Sequence, residues 1–223
     1  MSARLHPEPI AATVGCFAVA AALAIIWVSR LGVGREMYVS ELGAVGEPTA
    51  HWFEAALLLI VGGGSLIAWA GRRVRSSSGI LAAWTPAVSL WIGCGFFFVA
   101  SQVTCTTGCP LPVGATFTLQ DLTHTAAAVL AFTAACLAMI QAALAREHLV
   151  LSRISLASGI LVATIAGSGG LMSLVGFEQV LGSRLELLAT TVAVVWLAAF
   201  GAILARRRNP ERSAGHEIQQ SVG

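Results

Sequence analysis

Six apolar runs dominate the chain: roughly Ile10 to Val28, Phe53 to Gly71, Gly79 to Ser101, Leu122 to Ala145, Ile154 to Phe177 and Leu185 to Ala205. Each is long enough to cross the about 30 Å of hydrocarbon in a bilayer as a helix. The 223 residues are 57% hydrophobic and 11% charged, with a mean hydropathy of +0.81. A soluble core of this size cannot hide so much apolar surface. The expected fold is all-α: a polytopic membrane protein with a single bundle of six transmembrane helices. Its expected divisions are a cytoplasmic lead over residues 1–9, the six-helix domain over 10–205, and a disordered cytoplasmic tail over 206–223. The tail contains the helix-ending pair Asn209 and Pro210 and mixed charge without an apolar period.

The basic residues orient the bundle. All thirteen are Arg, and ten of them (Arg4, Arg72, Arg73, Arg75, Arg146, Arg153, Arg206, Arg207, Arg208 and Arg212) fall on one side of the six runs, leaving Arg30, Arg35 and Arg184 on the other. The positive-inside rule then places both termini in the cytoplasm of a cell whose cytoplasmic membrane the chain crosses. The same asymmetry reads as a topology signal or as contact with lipid phosphates, and not as a nucleic-acid surface. The first run resembles a signal peptide in its Arg4 and its Ala-rich centre. It is longer than a cleaved apolar region, so it is read as a retained span.

On this topology the two longer connections, Ser29 to Trp52 and Gln102 to Asp121, face outside. Acids open the even-numbered spans at Glu54, Asp121 and Glu186, the last beside Arg184, where a helix N-terminus favours negative charge. Glycine clusters occupy the second span (Gly62, Gly63, Gly64) and the fifth (Gly167, Gly169, Gly170). They suit close helix packing, or a transport site between two inverted halves. Pro86 suggests a kink in the third span. Trp27 and Trp52 suit an outer aromatic belt.

Candidate chemistry gathers in the outer loops. In an oxidising compartment Cys105 and Cys109, with Gly108 and Pro110 beside them, are suited to a small disulfide. A Cu(I) site completed by His51 or His124 and a thiol-exchange pair compete with that reading. Cys16, Cys94 and Cys136 lie within spans and read as packing residues. Asp121 and His124 stand three apart on one helix face, a spacing that lets a carboxylate orient an imidazole for acid-base work. His51 and Glu54 repeat the spacing on the second span, with Ser40 and Glu41 expected nearby. The expected catalytic set is therefore Asp121, His124, Glu54 and Glu41, with Ser40 and His51 as ligand contacts. No spacing matches a zinc helix, so no metal or cofactor is assigned.

Several motifs carry a family resemblance: Tyr38-Val-Ser-Glu-Leu-Gly-Ala44 with Pro48 and Trp52, then Cys105-Thr-Thr-Gly-Cys-Pro110, Asp121-Leu-Thr-His124, and Gly176-Phe-Glu-Gln179 with Arg184. Over about residues 11 to 205 the chain resembles the bacterial family termed domain of unknown function 998, and more distantly the eukaryotic Frag1/DRAM/Sfk1 membrane proteins. The resemblance implies a six-helix integral membrane protein of unassigned activity, the distant relatives being associated with lipid organisation. Members of the family often carry a second His near Asp121, which this sequence lacks.

The functional expectation is an outward-facing polar pocket that binds a lipid or other amphiphile and offers groups for acting on it, with the cysteine loop as a lid. A small transporter or non-catalytic accessory subunit is one alternative, in which the glycine-rich second and fifth helices line the cavity. Extracytoplasmic copper or thiol handling through Cys105 and Cys109 is another.

Overall fold

The computed structural model describes residues 7–77, 79, 84–110, 118–145, 149–175 and 179–206. Among them are six α-helices and no strand: α1 (Pro7–Gly32), α2 (Ala50–Ala70), α3 (Pro86–Gln102), α4 (Leu119–Ala143), α5 (Leu149–Leu174) and α6 (Gln179–Ala205). One 3-10 turn, Ser40–Gly43, precedes α2. Lipid offers no hydrogen-bond partners, so a run of apolar residues satisfies its backbone internally by winding into a helix. Five of the helices are long and apolar enough to span a membrane, and α3 has 17 residues, about 25 Å of rise. The chain is thus an all-α, multi-pass membrane protein.

Two local expectations, the extent of the polar lead and the kink at Pro86, differ from the structure. α1 begins at Pro7, so the last residues expected in the polar lead are helical. Pro86 does not kink a span: it stands in the first turn of α3, after an extended Thr85. There the missing N–H has no intrahelical partner to lose, and the fixed φ favours helix initiation. Of the expected third span, residues 80–83 lie outside the described residues, as do residues 207–223 of the expected tail.

The helices form a closed ring. α1 packs on α2 and α6, α3 on α2 and α4, and α5 on α4 and α6, while α2 also reaches α6 across the interior. Small residues set the closest approaches. A Cβ on Gly63 would lie 2.8 Å from the Gly15 carbonyl oxygen, and one on Gly15 would lie 2.6 Å from that of Gly63, so α1 and α2 touch backbone to backbone. Gly201 of α6 meets the Cys16 sulfur and Ile67, and Gly64 meets the Cys94 sulfur. Cys16 and Cys94 therefore act as compact packing residues. Interior polar groups are paired: Ser89 Oγ donates to Gln141 Oε1 at 2.8 Å, Gln141 Nε2 to the Trp84 carbonyl at 2.7 Å, and Trp196 Nε1 to Ser155 Oγ at 2.9 Å.

The connections separate into two ends. At one end lie the segment between α1 and α2, the segment after α3, and the start of α6, together with Arg30, Arg35 and Arg184. At the other end, Arg72 pairs with Glu8 at 2.6 Å and Ser77 bonds to the Leu144 carbonyl, near Arg73, Arg75, Arg153 and Arg206.

Candidate functional site

The segment between α1 and α2 forms a cap over the first end of the bundle. Met37, Val39 and Leu42 are buried and anchor it. Tyr38 and Ser173 share a hydroxyl hydrogen bond of 2.8 Å, and the backbone N–H groups of Val39 and Ser40 donate to the two oxygens of Glu186 at 2.7 and 3.3 Å. Glu36 bridges Arg30 and Arg184, and the Arg184 guanidinium, its strongest partner, holds the Glu36 carboxyl below the ordinary range despite some desolvation. Arg35 reaches Glu47 at 2.6 Å and Glu41 at 3.7 Å. Desolvation dominates at Glu41 and pushes its carboxyl up, with Arg35 only partly offsetting it.

The segment after α3 locks onto this cap. Cys105 and Cys109 are joined in a disulfide across a turn that passes through two left-handed residues, Gly108 (φ 79°) and Cys109 (φ 45°). Val45 N–H donates to the Cys105 carbonyl at 3.0 Å, and the Thr107 hydroxyl donates to the Val45 carbonyl at 3.0 Å.

Asp121, fully buried, is the third residue of α4 and closes a reciprocal capping box with Thr118. Its carboxylate also accepts the Thr106 backbone N–H at 2.7 Å and the Thr106 hydroxyl at 3.0 Å. It has no hydrogen bond to His124. The expected arrangement of Asp121 orienting the imidazole is therefore corrected: the carboxylate pins the cysteine loop to α4. The carbonyls of Ala100 and Val103, at the end of α3, hold His124 Nδ1 at 3.0 and 2.8 Å. Carbonyls only accept, so Nδ1 carries a proton, and Nε2 has no hydrogen-bond partner among the described residues.

Below the cap lies a cavity of about 80 Å³. Ser40, His124, Glu186 and Thr190 stand at its cap end, while Phe97, Phe132 and Trp196 are among its apolar walls. Along α4 it runs from His124 to Ala135, and along α6 from Glu186 to Leu197, about 16 Å of helix in each case. The cavity is thus polar at one end and apolar along its length. A second, smaller space of about 10 Å³ brings Glu54 against His124 and Thr104.

Of the expected site residues, the structure brings Ser40 and His124 together at the large cavity and Glu54 to His124 at the small one. It leaves the others elsewhere: His51 is exposed on α2, Glu41 faces Arg35, and Asp121 is spent on threonines. The glycine-rich segments do not line the cavity. α2 contributes Phe53, Leu57 and Ile60, and α5 contributes no lining residue among those described. Gly169 instead fits against Leu185.

Glu186 is the residue that sequence reasoning passed over. Its position near the start of the sixth span suggested no more than complementarity to a helix dipole. The sequence carried no signal of this, because Glu186 is the second residue of the run read as the sixth span; the structure begins the helix seven residues before it, at Gln179, and turns the Glu186 side chain to the backbone N–H groups of Val39 and Ser40.

The Sγ atoms of Cys105 and Cys109 and a ring nitrogen of His124 lie within 4.8 Å of one another. With the sulfurs oxidised to a disulfide they offer no thiolate to a metal. Neither a curated protein nor a solved structure matches the chain. The family model described as "Protein of unknown function (DUF998)" matches residues 10–203, which takes in all six helices except the first three residues of α1 and the last two of α6, and the chain belongs to that family.

Proposed function

We propose that this chain is an amphiphile-binding protein of the cytoplasmic membrane, with the capped end of its bundle facing outward. One observation carries the reading: a cavity whose hydrogen-bonding side chains stand at the cap end while aromatic and aliphatic residues line its depth. That polarity gradient matches a molecule with one polar head and one apolar tail. A volume of about 80 Å³ is well below the roughly 300–1,000 Å³ of drug-sized pockets, which suits a single slim chain better than a two-chain lipid. The sidedness rests on the arginine imbalance. In this reading His124 and Glu186 contact the head group, and Asp121 and the disulfide loop hold the roof in place. Phe97, Phe132 and Trp196 contact the tail.

The test is the composition of co-purified lipid. Gently extracted protein is expected to carry a single-chain amphiphile near one per chain. Ala128→Phe, which fills the cavity from α4, is expected to lose it while still inserting in the membrane. Equal lipid content in the two proteins would defeat the proposal.

A second reading is favoured by the proximity of Cys105, Cys109 and His124. In the reduced state two thiolates and an imidazole suit Cu(I). Alkylation of the unreduced protein separates the two readings: resistance of both cysteines supports the clip, and immediate labelling supports copper handling.

A further inference from the structure

The hydrogen-bonding groups at the cap end of the cavity are not balanced between donors and acceptors, and the imbalance names the head group. Among the described residues, the donors that line this end of the cavity are turned to protein acceptors, and the buried Arg30 Nε, which has no hydrogen-bond partner, is not among the lining residues. The His124 Nδ1 proton goes to the carbonyls of Ala100 and Val103. The Thr190 hydroxyl donates to the Glu186 carbonyl oxygen at 2.8 Å. The backbone N–H groups of Val39 and Ser40 go to the Glu186 carboxylate, with the Ser40 hydroxyl beside it. What remains toward the cavity is acceptor capacity: the Nε2 lone pair of His124, the unspent lone pairs of Glu186 and those of Thr190 Oγ1.

No arginine is among the described residues that line the cavity. The cap arginines are engaged elsewhere, Arg30 and Arg184 with Glu36, and Arg35 with Glu47. An anionic head would meet the Glu186 oxygens, already the target of two backbone N–H groups, with no cation among the described lining residues to offset the repulsion. A donor head would find His124 of α4 and Glu186 of α6 both lining the cavity, with acceptor capacity unmatched among the described residues.

The geometry points to a ligand whose head donates hydrogen bonds and carries no negative charge, such as a long-chain primary alcohol or a protonated long-chain amine, received between His124 Nε2 and Glu186. This inference rests on the amphiphile reading above and narrows it to a head-group class. Selection comes from what the site lacks as much as from what it offers, because phosphate and carboxylate heads need free donors, and the described lining residues present none.

The experiment uses the full chain in nonionic nanodiscs and reads quenching of Trp196 by bromine-labelled chains, with Trp196→Phe supplying the background from the other tryptophans. Three probes of identical chain length are compared at equal mole fraction: a primary alcohol, a primary amine and a carboxylic acid. The alcohol and the amine are expected to bind at least tenfold more tightly than the acid. Glu186→Gln is expected to weaken the amine more than the alcohol. Equal binding of all three, or preference for the acid, would overturn the donor rule and leave the amphiphile cavity standing. Failure of all three to quench Trp196 would remove the cavity reading itself, and the donor rule with it. Where Trp196→Phe fails to fold, Trp196→Tyr supplies the same background.

Discussion

Thr106 donates its backbone N–H to Asp121 Oδ1 at 2.7 Å, tying the disulfide loop to the first turn of α4 across fifteen residues of sequence. The same carboxylate closes the capping box with Thr118, so one buried side chain satisfies donors from two elements. Asp121→Ala is expected to destabilise the protein by about 2–4 kcal/mol, because donors are left buried without a partner. Thr118→Ala, which removes only the cap, is expected to cost about 1 kcal/mol. Thermal unfolding in detergent measures both, and a smaller loss for Asp121→Ala than for Thr118→Ala would contradict the stapling role.

Neighbouring glycines on α2 separate close packing from open surface. A Cβ on Gly63 would sit 2.8 Å from the Gly15 carbonyl oxygen and 2.9 Å from the Ala18 Cβ, whereas one on Gly62 would meet nothing within 4 Å. Gly63→Ala is expected to destabilise by about 1–3 kcal/mol through overpacking. Gly62→Ala is expected to be neutral or stabilising by up to about 1 kcal/mol through helix propensity. Equal unfolding midpoints for the two variants would show that α1 and α2 do not touch at this point.

The disulfide closes a short ring, with its cysteines four residues apart. The chain-entropy model assigns such a ring a stabilisation of about 2 kcal/mol. Cys105→Ser is expected to lose that amount, and the double Cys105→Ser, Cys109→Ser variant to lose no more, since one bond is broken in either case. A double variant clearly weaker than the single one would mean that the thiols act separately.

Acid is expected to loosen the cap in a defined window. Glu36 has its carboxyl lowered by Arg184 and Arg30, so its contribution is present above the ordinary carboxylate range and is lost as pH falls through the lowered value. Glu41 has its carboxyl raised by burial. It takes up its proton first on acidification, and that step favours the folded state. Hydrogen exchange over residues 33–39 is expected to stay slow through the protonation of Glu41 and to accelerate only below the ordinary carboxylate range. Glu36→Gln is expected to exchange fast already at neutral pH. Wild-type exchange that accelerates above that range would assign the acid response to another group.

Much of the architecture was legible in the residues. Hydropathy marked six runs that fold as six helices, and Gly108 and Pro110 beside the cysteine pair pointed to the turn that the disulfide closes. Helical period placed Asp121 and His124 on one face, which is correct, yet they hold different partners. Asp121 is close enough to the helix start to reach its own cap and the neighbouring loop, whereas His124 lies one turn deeper, against the last carbonyls of α3. Period specifies direction and says nothing about what waits there. For the same reason His51 and Glu54, with identical spacing, divide between an exposed surface and the small space beside His124.

By itself the sequence determined the medium, the six apolar runs that become helices and the imbalance of arginine between the two ends, because each follows from local composition set against the cost of placing charge or bare backbone in hydrocarbon. The tertiary structure alone decided that Glu186 and His124 share a cavity while Asp121 and Glu41 do not. That outcome depends on how each helix is rotated against its neighbours, which packing such as the Gly15 and Gly63 contact fixes over distances no local pattern records.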